Sequence, residues 1–230
     1  TLSVFGNLSF PSGGSFSANS NWTLTLASTS TGKTITSNGK NLPNITFNGS
    51  GGGWTLQDDF NSNRNIVLTN GSFDANGFNV AANTVSLGSG TKTLTMGSGT
   101  WTLSGASTTV WDMNTNAAGL TFSGAASTIV FSAGGTTAKN FAGGGLTYGT
   151  FTIGGTTGVG TYSISGSNTF SALTSTKTVA YTISMPAVTT VGTWSITGTA
   201  GNVVTIAGGA SQRILNITNK TVGIDYLSIS

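Results

Sequence analysis

The stretch Lys92-Thr-Leu-Thr-Met-Gly-Ser-Gly-Thr-Trp-Thr-Leu103 shows the pattern that decides the fold. Apolar side chains alternate with threonines on both sides of a Gly-Ser-Gly segment. A period of two, interrupted by glycine and serine, is typical of short β-strands joined by tight turns. The stretch therefore predicts one strand over residues 92–96, a turn, and a second strand over residues 100–103.

Similar runs occur along the whole chain. Examples are Trp22-Thr-Leu-Thr-Leu26, Asn44-Ile-Thr-Phe47, Asn83-Thr-Val-Ser-Leu87, Ser127-Thr-Ile-Val-Phe131, Val179-Ala-Tyr-Thr-Ile183 and Ile214-Leu-Asn-Ile217. No segment has a helical period, and the good helix former glutamate does not occur. We expect an all-β protein with essentially no helix. The chain has 35 glycines but also 37% hydrophobic residues, enough for a folded core.

Two architectures fit many short strands: a right-handed parallel β-helix, that is a β-solenoid, or antiparallel β-sandwich domains. A Trp-Thr/Ser-Leu/Ile unit occurs at Trp22, Trp54, Trp101 and Trp194. The last two gaps are close to two and four multiples of a coil of about 23 residues, within the range of known repeat periods. The first gap does not fit this period. Glycine, asparagine and threonine also suit tight solenoid corners, so we predict the β-solenoid.

The prolines indicate how the domain is organised. Pro11, Pro43 and Pro186 each lie just outside a predicted strand, as expected of a residue that cannot donate to a ladder. We predict one elongated β domain over residues 1–230, with a softer joint near Pro186. Because residues 229–230 continue a strand-like run, we also expect the natural chain to extend beyond its carboxyl end here.

The composition leaves few groups for chemistry. The chain has no histidine, cysteine or glutamate, and only 6% of its residues are charged. These residue types supply most general acids, general bases and metal ligands. We therefore expect no catalytic residues, no metal, no cofactor and no enzymatic activity.

The net charge of +3 comes from a small excess among few charges. Lys33 and Lys40 are the nearest approach to a basic cluster, and the other basic residues, including Arg213, lie far apart. This distribution lacks the basic patch of a nucleic-acid-binding protein. No apolar run approaches the length of about 20 residues that spans a bilayer, so we expect no membrane insertion.

The aspartates are the only acids in the chain. A glycan-cleaving β-helix enzyme would need two facing carboxylates, for example Asp58 or Asp59 with Asp74 or Asp112 on a neighbouring coil. Adjacent residues on a strand point to opposite sides, which leaves one of the first two for such a pair. The ordinary role of aspartate in a chain of this kind is to form turns, and we predict that role for residues 57–60 and 73–76.

Two further patterns are candidates for binding surfaces. The tryptophans are expected to pack in the core or at an interface between subunits, with stacking on a glycan as the alternative; they are Trp22, Trp54, Trp101, Trp111 and Trp194. Thr-x-Thr pairs of the kind that ice-binding solenoids present occur at Thr23/Thr25, Thr34/Thr36, Thr93/Thr95 and Thr100/Thr102. Their uneven intervals argue against one flat array of threonine pairs on a single face.

The sequences of several segments resemble those of a group of repeat proteins. The segments are residues 34–58, Leu68-Thr-Asn-Gly-Ser-Phe-Asp-Ala-Asn-Gly77, Gly166-Ser-Asn-Thr-Phe-Ser-Ala-Leu173, Ile196-Thr-Gly-Thr-Ala-Gly-Asn-Val-Val-Thr-Ile206 and Ile224-Asp-Tyr-Leu-Ser-Ile229. They resemble the Gly/Thr/Asn-rich structural proteins of bacteriophages and prophages, such as tail-fibre and other virion-surface components. These motifs describe turns and rungs and define no catalytic site.

The resemblance implies a structural subunit of a virion surface or tail appendage, located on the virion surface or outside the cell. It implies assembly with copies of itself or with other virion proteins, and contact with host-surface glycans is a further expectation. Two alternatives stay open from the sequence. One is a glycan-cleaving, tailspike-like depolymerase, and the other is a bacterial cell-surface adhesin.

Overall fold

The part of the chain that the structure describes contains twenty-three β-strands and no helix. The structure is a computed structural model, and it describes residues 1–13, 22–62, 64–106, 108–155, 157–158, 160–208, 215–220 and 225–230. Arg213, Ile214 and Ile224, named in the sequence patterns above, lie outside these ranges. The expectation of an all-β protein is confirmed.

The strands stack as a parallel β-solenoid of about nine turns, and every strand-to-strand ladder among the described residues is parallel. This confirms the solenoid and excludes the antiparallel sandwich. The coils present three faces. The first face is the longest and contains β1 (Leu2–Val4), β3 (Thr23–Leu26), the first parts of β6 (Asn44–Leu56) and β8 (Asn65–Asp74), β10 (Thr84–Leu87), β13 (Thr109–Asp112), β15 (Lys139–Ala142), β17 (Thr161–Ser165), β19 (Tyr181–Ser184), β21 (Val204–Ala207) and β23 (Leu227–Ile229).

Among the described residues the other two faces contain fewer strands, and the second face ends at β14 (Leu120–Phe131). The second face contains β2 (Leu8–Ser9), β4 (Lys33–Thr36), the second parts of β6 and β8, β11 (Lys92–Thr95) and the first part of β14. The third face contains β5 (Asn41–Leu42), β7 (Phe60–Ser62), β9 (Val80–Ala82), β12 (Thr100–Leu103), the second part of β14, β16 (Thr147–Ile153), β18 (Thr169–Ser175), β20 (Thr189–Ser195) and β22 (Leu215–Lys220).

Alternation along the strands places one set of side chains inside. In β12 the residues alternate between half-buried threonine and fully buried Trp101 and Leu103. Stacking aligns these inward residues in columns, so that Trp101 lies over Val80 and under Ile129. Because each coil buries its apolar side chains against the next, the core runs along the whole axis.

The register also explains the tryptophan spacing. On the third face Trp101 and Trp194 lie in one column, four coil steps apart, through Ile129, Phe151 and Leu173. The interpretation of the gap from Trp101 to Trp194 as four coils is therefore confirmed.

The gap from Trp54 to Trp101 spans two coils, from Trp54 through Phe73 to Leu94, and in addition the corner to the next face, so these two tryptophans do not lie in one column. Trp54 pairs with Phe73 on the second face, whereas Trp101 belongs to the third. The coil length is not constant either. It varies from 19 residues, between Ile66 and Val85, to 31 residues, between Thr109 and Asn140.

Candidate functional site

Asp58 and Asp59 lie at the corner between the second and third faces, not on a strand. The Asp58 carboxylate accepts hydrogen bonds from the backbone N–H groups of Ser37, at 2.7 Å, and of Asn38, both on the preceding coil. The Asp59 carboxylate accepts from Asn79 on the following coil, from its backbone N–H at 2.9 Å and from Nδ2 at 3.0 Å. The two neighbours therefore bind opposite coils, and each carboxylate connects one coil to the next.

Asp74 and Asp112 form local turns. The Asp74 Oδ1 atom accepts from the backbone N–H of Asn76 at 2.8 Å, as predicted for residues 73–76. Asp112 Oδ1 accepts from the N–H groups of Asn114 and Thr115. Both arrangements are Asx turns, the common structural use of this residue. Within the described residues, no group of three or more acidic side chains comes together as a metal site would require.

The tryptophans lie inside the solenoid. The side chains of Trp54, Trp101, Trp111 and Trp194 are at most 1% exposed, which leaves no ring surface for a glycan or a second subunit. These four tryptophans therefore take the first of the expected positions, packing in the core, and the expectation that they make interface or glycan contacts is wrong for them. Trp22 is half-buried just before β3 and packs against the core.

Three lysines have structural roles that the sequence pattern does not indicate. The buried Lys92 Nζ donates to the backbone carbonyl oxygens of Gly88, Gly90, Asn116 and Ala118, at 2.6–3.1 Å. An ammonium group has three N–H bonds, so these are shared among four acceptors. Burial lowers the pKa of Lys92. The carbonyl oxygens replace the hydrogen bonds to water that the ammonium group loses on burial.

Lys139 and Lys177 repeat this arrangement in later coils. Lys139 Nζ donates to the Gly105 carbonyl at 2.8 Å, and Lys177 Nζ donates to the Gly155 carbonyl at 3.3 Å. The Lys177 ammonium also lies 5.6 Å from the centre of the Tyr162 ring, a cation–π distance. Burial lowers the pKa of both lysines. These charges hold coils together and contribute little to the outer surface.

The Thr-x-Thr pairs fall on different faces. Thr23/Thr25 lie on the first face, Thr34/Thr36 and Thr93/Thr95 on the second, and Thr100/Thr102 on the third. The four pairs therefore do not form a single array.

A recess of about 500 Å³ lies at the corner that leads into the third face, across β7, β9 and β12. Its polar walls come from three successive coils, and we call it the corner recess. The residues that line it include Asp59, Asn61, Asn79, Ala81, Thr100 and Thr102.

The walls of the corner recess are fixed by hydrogen bonds between coils. Asn79 donates to both oxygens of the Asp59 carboxylate, and its own Oδ1 accepts from the backbone N–H of Thr100 at 2.9 Å. The Asn61 Nδ2 atom donates to Asn41 Oδ1 at 2.7 Å. Sequence spacing does not indicate this grouping, because the grouping depends on the register of three coils.

Comparison with protein-family models, with curated proteins and with solved structures found no match for the chain. The solenoid assignment therefore rests on the strand pairing itself. Across the described residues no helix is long and apolar enough to cross a membrane.

Proposed function

We infer that the chain is a structural subunit of a surface appendage, such as a virion tail fibre or a decoration protein, and that it has no catalytic role. The observation that carries this proposal is the use of its polar and charged side chains. Asp58, Asp59, Lys92 and Lys139 each join one coil to another. Four of the few charged side chains of the protein thus make hydrogen bonds between coils.

The shape of the solenoid supports the same role. Eleven strand segments stack on the first face at a spacing of about 4.8 Å, so the axis is roughly 50 Å long. Each coil contacts its neighbours through a ladder and a shared core, which makes the molecule a continuous rod. A rod of this kind suits a spacer or shaft.

The outermost described coils favour assembly. In the first coil Leu2 is 55% exposed and Phe5 is 68% exposed, and in the last coil Ile229 is 83% exposed. The strands β1 and β23 each pair on one side only among the described residues. Open strand edges with apolar side chains recruit further strands. We expect these coils to be covered in the native assembly, by further coils of the natural chain, by a second copy or by another protein of the appendage.

Sedimentation of the purified protein tests this proposal. We expect a mass of two or more chains, and we expect Phe5→Ser and Ile229→Ser to lower it. Val188→Ser is the matched control, because Val188 is 40% exposed but lies between strands away from both ends. A stable monomer whose β1 and β23 amides exchange freely with solvent would contradict the proposal.

A further inference from the structure

We propose that the corner recess is a binding site for a neutral carbohydrate. The recess exists because of one small residue in an outward column. On the third face Asn41, Asn61, Ala81 and Thr102 occupy equivalent positions on four successive coils. Ala81 is the smallest of the four, so the surface is lowered between the asparagine on one side and the threonine on the other.

The recess offers a fixed pair of acceptors. Each oxygen of the Asp59 carboxylate accepts one hydrogen bond from Asn79, and a carboxylate has about four acceptor positions in all. Both oxygens can therefore accept another hydrogen bond. Two oxygens held side by side suit two neighbouring hydroxyl groups of one sugar ring, and charge-assisted hydrogen bonds of this type are the strong ones.

Further polar groups surround this pair. The side-chain hydroxyls of Thr100 and Thr102 have no partner among the described residues, so each can donate and accept. The Asn61 carboxamide keeps its own oxygen as an acceptor after its bond to Asn41. Because the coils fix all of these groups, little conformational entropy is lost on binding.

The chemistry of the walls selects the class of ligand. One carboxylate and no cationic side chain line the recess, which disfavours an anion. A single carboxylate is also too few ligands for a structural metal ion. The polar walls offer little to an apolar ligand, and the Phe60 ring is buried, so no aromatic platform is present. A neutral polyhydroxylated ligand fits, with a dissociation constant on the order of 1 mM.

A titration followed by NMR tests the site. The probes are maltotriose, cellotriose and mannotriose, with tetraethylene glycol as a flexible control that has few hydroxyls. We expect at least one trisaccharide to shift the backbone amides of Asn79, Ala81 and Thr102, and the glycol to leave them unchanged. The proposal is overturned if no trisaccharide shifts these amides, or if the glycol shifts them equally.

Two variants locate the binding. Ala81→Gln fills the recess from an outward position and leaves the Asp59–Asn79–Thr100 hydrogen bonds intact, so we expect at least a tenfold loss of affinity. Its matched control is Ala172→Gln, an outward alanine of the same face in β18, which should keep both affinity and melting temperature. Thr102→Val removes one hydroxyl with little change of shape and should weaken binding several-fold.

Undiminished binding in both Ala81→Gln and Thr102→Val would overturn the proposal. The site does not depend on the structural role inferred above, which is tested by assembly. A titration in which no amide shifts would overturn the carbohydrate site but not the structural role. A monomer in sedimentation would contradict the structural role but not the carbohydrate site.

Discussion

At the scale of single residues, identical side chains have different roles because the coils give them different neighbours. Asp58 uses both carboxylate oxygens to reach backbone N–H groups of the preceding coil, at Ser37 and Asn38. Asp74 uses Oδ1 alone, within its own turn. An asparagine side chain offers one acceptor oxygen in place of two. It can therefore replace Asp74 but not Asp58.

We predict that Asp58→Asn lowers the free energy of unfolding by about 1–3 kcal/mol, because one N–H group then faces an amide donor. Asp74→Asn should change it by less than about 0.5 kcal/mol, as is usual for substitutions that break no buried contact. Urea denaturation of the two variants beside the parent measures both values. Equal stability of the two variants would contradict the role assigned to Asp58.

At the scale of elements, small residues allow the strands to bend into the third face. One column, each member of which directly precedes an outward residue of the third face, contains Gly99, Ser127, Gly149, Ser171 and Gly192. The ladders of β16 with β18 and of β18 with β20 skip this column. A Cβ atom on Gly149 would lie 2.1 Å from the Ser127 carbonyl oxygen, and one on Gly192 would lie 2.6 Å from the Ser171 carbonyl oxygen. The coils therefore approach each other too closely at this corner for a side chain at the glycine positions.

We predict that Gly149→Ala lowers the free energy of unfolding by about 1–3 kcal/mol, because the backbone of the neighbouring coil must move to admit the methyl group. Gly6→Ala is the matched control, since a Cβ atom there meets nothing within 4 Å, and it should be neutral. Thermal or urea denaturation gives the comparison. A neutral Gly149→Ala would show that the corner is not tightly packed.

At the scale of the whole molecule, a chain of aromatic rings in contact runs through the core from Phe47 to Phe170. Within it Phe141 contacts the rings of Phe151, Tyr148, Phe170 and Trp111 at centroid distances of 4.7–6.1 Å. Tyr148 joins this chain of rings through its hydroxyl group as well, which donates to the Gly143 carbonyl at 2.8 Å and accepts from the Trp111 indole N–H. Such rings tie successive coils into one unit.

The buried tyrosines predict a loss of stability at high pH. Burial raises the pKa of Tyr181 to about 12, and burial also raises the pKa of Tyr148 and Tyr162. In the unfolded chain these groups ionise near pH 10. Between pH 10 and 12 the folded protein therefore binds more protons than the unfolded chain, so the free energy of unfolding falls as the pH rises. For Tyr181 alone the loss reaches roughly 2–3 kcal/mol.

Tyrosinate absorbance measures this effect directly. At pH 11 the native protein should show fewer ionised tyrosines than the protein in denaturant, and Tyr181→Phe should reduce the fall in stability between pH 10 and 12. The buried lysines act in the opposite direction below about pH 10.5, since burial lowers the pKa of each, so the measurement is best made above that value. Identical titration of the native and unfolded chains would contradict the prediction.

The sequence by itself determined the strands and the absence of helix in the described residues, and it favoured the solenoid over the sandwich. Alternation such as that of Leu94, Met96, Trp101 and Leu103 is local, and a backbone with a period of two sends these side chains to one side wherever the strand lies. Turn chemistry is also local, which is why the Asx turn at Asp74 could be predicted.

Only the tertiary structure decided which residues of different coils become neighbours. Asp59 meets Asn79, Lys92 meets the carbonyl of Asn116, and Ala81 lowers the surface beside Thr102. The physical reason is that a column depends on the lengths of all the turns between its members. Coils here vary from 19 to 31 residues, so no fixed spacing in the sequence marks a column. The register is set only when whole coils stack and bury their apolar side chains together.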